Sequence, residues 1–199
     1  MASELIVIFV GAALINNVVL MQFLGICPLL GVSRTLSMAK GMGAAVIFVM
    51  AISSMVTWGL QHYVLEPMSI EYMQTVAFIL VIATLVQFVE MVMLRYSPAL
   101  YRALGVYLPL ITTNCAIMGV ALLNIRDNYG FIETVSHAVG SGLGFILAII
   151  LFAGIRERLE RADVPAPMRG TPIALVVAAL LSMAFMGFAG FGVADMFGL

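Results

Sequence analysis

Leu24-Gly25-Ile26-Cys27-Pro28-Leu29-Leu30-Gly31-Val32 and Thr112-Thr113-Asn114-Cys115-Ala116-Ile117-Met118-Gly119-Val120 share one pattern, Cys-x-x-x-Gly-Val with apolar residues between. Together they take both cysteines of the chain. Each also has the marks of an interrupted helix. Gly25, Pro28 and Gly31 crowd the first stretch, while Pro109 and Gly119 flank the second. Thr112, Thr113 and Asn114 put polar groups into an apolar run, where an unpaired one costs about 2–7 kcal/mol. Unwound backbone at membrane depth persists only where protein buries it. Interrupted helices at matching places in two halves of a chain point to its site.

The surrounding sequence is that of a membrane protein. Of 199 residues, 63% are hydrophobic and 10% charged, and mean hydropathy is +1.15. Soluble domains average roughly 25% charged residues, so a soluble or disordered chain is excluded. Nine Lys and Arg against ten Asp and Glu leave no basic surface for a nucleic acid. A bilayer core of ~30 Å takes about 20 apolar residues per helix, which leaves room for six spans and no soluble domain. Charges and Pro/Gly clusters place these spans at 5–31, 41–63, 73–94, 100–124, 131–155 and 171–194. The segments are continuously apolar rather than alternating, which excludes a β-barrel. Glu4 and the long apolar run after it do not fit a cleavable signal, so the N-terminal segment is expected to be a retained helix.

The two cysteine stretches fall in the first span of each three-span half. Three spans per half make the halves enter the membrane from opposite sides. The expected fold is therefore all-α: six transmembrane helices in one membrane domain, residues 1–199, built as inverted repeats of about 1–97 and 98–199. The first helix of each repeat is broken near its Cys. Related by the pseudo-twofold axis, the two thiols should meet near the middle of the membrane. Two facing thiols could form a disulfide, although spans are shielded from oxidants. They could pack as small apolar groups, or ligate a metal or an iron–sulfur cluster. Clusters usually take four thiolates. With two in this chain, any cluster would have to be shared with a second, similar chain.

Longer stretches carry a resemblance. Asn16-Asn17-Val18-Val19-Leu20, Phe23 through Pro28, Tyr101-Arg102, Leu108-Pro109-Leu110-Ile111-Thr112-Thr113-Asn114-Cys115-Ala116, Ile155-Arg156-Glu157-Arg158 and Ala162-Asp163-Val164-Pro165-Ala166-Pro167 resemble the A-type family of bacterial Rnf complex subunits. The sister family is the E-type component of the sodium-translocating NADH:quinone reductase. The resemblance implies a bacterial inner-membrane protein that pairs with a homologous partner of inverted topology, the Rnf E type. Each would give two cysteines, here Cys27 and Cys115, to a two-iron, two-sulfur cluster. Gly25, Pro28, Gly31, Thr113, Asn114 and Gly119 would surround it. It further implies electron transfer between ferredoxin and NAD coupled to sodium or proton transport. Flavins and further clusters would sit on partner subunits of the B, C, D and G types, since no Gly-rich nucleotide loop is present.

The other polar residues have two roles open to them. Glu90, Asn16 and Asn17 are candidates for an ion path, since an intramembrane acid is a functional candidate by default. The asparagines, like Gln22, Gln87 and Asn124, equally suit hydrogen bonds between helices. Glu90 could instead pair with Arg95 or Arg102. His62 and His137 are expected at the outer interface, without a second metal ligand one helical turn away. Gly41–Gly43 and Gly140–Gly142–Gly144 are expected to let helices approach around the broken segments. The run 155–170 extends the fifth helix, with Glu157–Arg161 paired at i,i+4, before Pro165 and Pro167 stop it. It serves as a solvated hinge or as a docking surface for a cytosolic partner.

From the residues alone, an electron carrier within a larger complex and a secondary transporter with a midplane site stand nearly level, with a purely structural role third. A transporter has no need of Cys at both symmetric breaks. Eight of the nine cations lie in odd-numbered loops: Arg34, Lys40, Arg95, Arg102, Arg156, Arg158, Arg161 and Arg169. Cations keep short loops in the cytoplasm, so both termini are expected in the periplasm. A reporter fused at residue 160 should be active only as a cytosolic reporter. Activity on the periplasmic side would overturn the orientation.

Overall fold

The computed structural model of the chain describes residues 2–33, 36–68, 70–96 and 108–189. Arg34, Arg102, the 97/98 boundary between the expected repeats and the outer ends of the fourth and sixth expected spans lie outside them. Among the described residues regular structure is entirely helical, as continuous hydropathy requires.

Helix α1 (Ala2–Val10) runs into a wide π-helical turn, Gly11–Ile15. An unwound stretch follows, before the short α2 (Ile26–Val32). Helix α3 (Leu36–Leu60) continues through a second π-helical turn (Gln61–Leu65) to Glu66–Met68, and α4 spans Gln74–Tyr96. In the second half, α5 (Leu108–Thr112) and α6 (Cys115–Arg126) are separated by two residues. Helix α7 (Phe131–Leu159) and α8 (Thr171–Ala189) complete the order.

Among the described residues, three helical stretches are long and apolar enough to cross a bilayer: Met38–Met68, Gln74–Met91 and Phe131–Leu159. Ser3–Ile15, Leu110–Arg126 and Thr171–Gly187 are shorter apolar helices. The outward faces are apolar, with Val76, Ile79, Leu80 and Phe88 on α4 and Leu175, Leu180, Met183 and Met186 on α8 all exposed. In water, so large an apolar surface would aggregate. It suits lipid.

Lipid tails are as apolar as leucine, so close packing rather than burial holds such helices together. Helix α7 is the central element, packing along α3 and against α1 and its π-helical turn. Phe145, Ile149 and Phe152 of α7 are almost completely buried, as are Met42, Val46 and Met50 of α3. The glycines of α7 set the spacing, as the sequence leads one to expect. A Cβ at Gly140 would lie 2.7 Å from the Phe9 carbonyl oxygen, and one at Gly144 2.7 Å from that of Ala13. These are backbone-to-backbone contacts, so neither side can yield. Gly142 similarly receives Ile47 of α3.

One helix start shows how local sequence ends each element. Glu133 reaches back to accept the Gly130 N–H at 2.9 Å, capping α7 with an acid where the helix dipole favours one.

Gly144→Ala should destabilise the protein by about 1–3 kcal/mol, the usual range for overpacking. Gly154→Ala should be neutral, since no atom lies within 4 Å of the added carbon. Melting temperatures in detergent check this. Equal temperatures for the two variants would show that close approach at Gly144 does not hold the fold.

Candidate functional site

The first break begins where the π-helical turn closes on Asn16, whose N–H bonds the Gly11 carbonyl at 2.7 Å. From there the chain leaves the helix, and each polar group needs another partner. Asn17, fully buried, supplies several. Its Oδ1 accepts the N–H groups of Val19 (3.0 Å) and Leu20 (3.3 Å). Its Nδ2 donates to the carbonyls of Gly144 (2.8 Å) and Ala13 (3.3 Å). Ser182 of α8 donates its hydroxyl to the Leu20 carbonyl. Val18, Val19 and Leu20 are each 2% exposed, which puts this loop inside the protein. Positive φ angles at Phe23 (55°) and Gly25 (81°) then turn the chain into α2.

The interruption therefore lies upstream of where Pro28 and Gly31 suggested it. Both residues sit inside α2. Pro28 is in its first turn, where a backbone N–H has no helical partner to lose.

The second break is two residues long. Asn114 sits in extended backbone (φ −69°, ψ 110°), and its Oδ1 accepts the Ala116 N–H at 3.0 Å, capping α6. Its Nδ2 is buried without a hydrogen-bond partner. Cys115 is the first residue of α6 and Cys27 the second of α2. Each Cys lies in the first turn of the helix that follows a break.

The two breaks meet. The Gly25 N–H donates to Cys115 Sγ at 2.9 Å. Gly25 and Cys27 are two residues apart, so their Cα atoms are separated by at most about 7.6 Å, and both thiols share one neighbourhood. The repeated glycines make reciprocal contacts. Gly31 faces Leu110 of the second segment, at 3.6 Å from where its Cβ would be, while Gly119 receives Leu24 of the first. Asn114 lies against Gly25. Pro28 is buried and Thr113 exposed. Both thiols are free, Cys115 half-buried and Cys27 exposed. No disulfide joins them here, and Cys27 is exposed rather than packed within this chain.

Helix α2 is held at its far end by a residue that the sequence marked only as a loop cation. Arg156 donates to the Leu30 carbonyl (2.9 Å) and the Ser33 hydroxyl (3.0 Å), a cation where α2 leaves its carbonyls unpaired. Its partners are more than a hundred residues away, and no local pattern announces them.

Among the ion-path candidates, Asn17 is engaged by backbone as described, Asn16 is exposed and Glu90 half-buried. His137, expected at the interface, is instead buried, with Nδ1 2.6 Å from Asn124 Oδ1. His62 is exposed, paired with Glu66 at 3.1 Å and stacked on Trp58. The Glu157–Arg161 pair forms at 3.2 Å as its spacing predicts. Beyond it, a cleft of about 340 Å³ opens between α7 and the proline loop, lined by Arg156, Glu160, Val164 and Arg169 among others. Among the described residues, no three His, Cys, Asp or Glu side chains gather as a metal site.

Known proteins match almost the whole of this chain in sequence. A sequence model of the family described as "Rnf-Nqr subunit, membrane protein" matches residues 5–192. The A component of the Na(+)-translocating ferredoxin:NAD(+) oxidoreductase complex of Acetobacterium woodii is 59% identical over 186 residues, covering 94% of this chain and 97% of that one. The A component of the ion-translocating oxidoreductase complex of Syntrophotalea carbinolica is 58% identical over 188 residues, with 94% and 97% covered. Its counterpart in Vibrio vulnificus is 53% identical over 188 residues, with 94% and 98% covered. The match takes in both breaks and both thiols, and the chain belongs to the Rnf-Nqr family of membrane protein subunits.

Proposed function

We propose that this chain is the A-type component of an ion-translocating ferredoxin:NAD oxidoreductase complex in a bacterial inner membrane, and that Cys27 and Cys115 are half the ligands of a two-iron, two-sulfur cluster. The names and near full-length coverage of its relatives support membership of such a complex. One observation carries the ligand assignment. A Cys stands in the first turn of the helix after each break, the breaks meet at the Gly25–Cys115 bond, and Cys27 is left exposed beside them.

The residues present fit the group. Two thiolates suit iron–sulfur chemistry. The unpartnered, buried Nδ2 of Asn114 is a spare donor beside Cys115, where sulfur acceptors would be. When bound, the cluster supplies one-electron redox chemistry within the membrane. The rest is done by this chain. Asn17 and Ser182 hold the unwound loop, Gly25 turns it, and Arg156 fixes the end of α2, so that Cys27 is presented from a defined position. Cys115 heads α6 at the positive end of its dipole, which favours negative charge at that sulfur.

A homologous partner of inverted topology would cover the exposed side and bring the other two thiolates. Asn16, Gln22, Phe23 and Cys27 are all exposed around the first break, and such a segment cannot face lipid. Six spans in two inverted repeats are supported by the position of each Cys after a break, by the reciprocal Gly31–Leu110 and Gly119–Leu24 contacts, and by the pairing of α3 with α7, the second expected span of each half. Subunits of the B, C, D and G types would carry the flavins and remaining clusters. The cleft by Arg156 and Arg169 would offer a cytosolic docking point. Broken helices alone would equally favour a transporter; a Cys in the first turn after each break favours the electron carrier.

Cys27→Ser and Cys115→Ser should each abolish ferredoxin- or NADH-driven turnover of the complex while the protein still inserts. A hydroxyl nearly matches the thiol in size but is a poor ligand beside soft thiolates. The reduced cluster's paramagnetic resonance signal should vanish with turnover, and iron and acid-labile sulfide should fall. Unchanged signal and turnover in both variants would sink the ligand assignment.

A further inference from the structure

We infer that the Gly25 N–H is a built-in hydrogen-bond donor to the Cys115 sulfur, making Gly25 a positioning residue that fixes this ligand and tunes the reduction potential of the cluster. This rests on the ligand assignment proposed above.

The N–H lies 2.9 Å from Sγ, donated from a segment ninety positions away in the sequence. Gly25 is buried, and a buried N–H must find an acceptor. A neutral thiol is a weak one. A thiolate bearing the charge of a metal centre is much better, so the bond strengthens as negative charge accumulates on sulfur.

The donor is also clamped. Gly25 has φ +81°, and a Cβ there would sit 2.9 Å from Phe145 Cε2 and 3.2 Å from the Ala116 Cβ. The Gly25 carbonyl accepts the Leu29 N–H at 3.3 Å, beginning α2. One peptide segment thus starts the Cys27 helix and points its N–H at Cys115. Its geometry is set by α7 on one side and α6 on the other. A dipole fixed in this way need not reorient when charge arrives. Hydrogen bonds to the sulfurs are among the determinants of cluster potential. Adding one electron raises the negative charge that the N–H faces, so the bond favours the reduced form and raises the potential. Losing it lowers the potential.

The test uses the whole complex, purified from cells supplied with ¹⁵N-glycine and reduced with dithionite. Hyperfine spectroscopy of the cluster signal should show a ¹⁵N coupling that unlabelled complex lacks. Gly25→Ala removes the label from that position, so one ¹⁵N coupling should disappear. The strained alanine should also shift the peptide and lower the midpoint potential in a redox titration. Because the new methyl would strike Phe145, the double variant Gly25→Ala with Phe145→Leu is measured alongside, and it should lose the same coupling. A cluster signal that requires Cys115 but shows no glycine ¹⁵N coupling, or one unchanged in the Gly25 variants, overturns the hydrogen bond and leaves the ligand assignment standing. A signal that survives Cys115→Ser overturns both.

Discussion

Backbone polar groups have no water to turn to inside a bilayer, and the structure depends on how the first break satisfies its own. A continuous helix meets that demand automatically. Residues between Asn16 and Gly25 keep only scattered backbone bonds, so side chains take over much of the rest: Asn17 accepts two N–H groups, Ser182 donates to the Leu20 carbonyl and Cys115 accepts the Gly25 N–H, while the Asn17 amide ties the loop to the Ala13 and Gly144 carbonyls. A lost partner would leave a buried group whose desolvation costs about 1–3 kcal/mol. The thiol proposed as a metal ligand is therefore also part of the scaffolding of the opposite break.

Helix α2 shows the same dependence from another side. Seven residues cannot sustain a helix alone, since isolated helices shorter than ~12–15 residues are marginal even in favourable sequences. Its place comes from α7. Phe145 abuts Gly25 where α2 begins, and Arg156 bonds the Leu30 carbonyl near its end. Phe145, Ile149, Phe152 and Arg156 recur at intervals of four, three and four, along one face of α7. Eleven residues of helix rise about 16 Å. A long rigid helix thus acts as the ruler against which a short, interrupted one is held.

What the sequence disclosed divides along this line. Apolar helices and the two breaks were legible because they leave local marks: runs of apolar residues, and Cys-x-x-x-Gly-Val twice. The glycines of α7 were legible as sites of close approach. Pairings across the fold were not. Nothing near Asn17 says that its amide bonds Gly144, and nothing near Arg156 distinguishes it from the other loop cations. His137 is four residues beyond Glu133 in a helix start that reads as interfacial, yet packing against Asn124 buries it. Pro28 misplaced the first break because proline marks both helix interruptions and helix first turns, and only the preceding φ angles at Phe23 and Gly25 decide between them.

The constraint that shapes the break also bears on the partner proposed for it. The chain unwinds between Asn16 and Gly25, and it satisfies most of that loop from within. Its own helices cover Val18, Val19 and Leu20 on one side. On the other side Asn16, Gln22 and Cys27 stay exposed. Adding a helix of this chain there would shield those groups but would also close off the thiols. Leaving the side to lipid would strand polar groups in hydrocarbon. The inverted homologue proposed above would meet both demands, bringing cover together with two further thiolates.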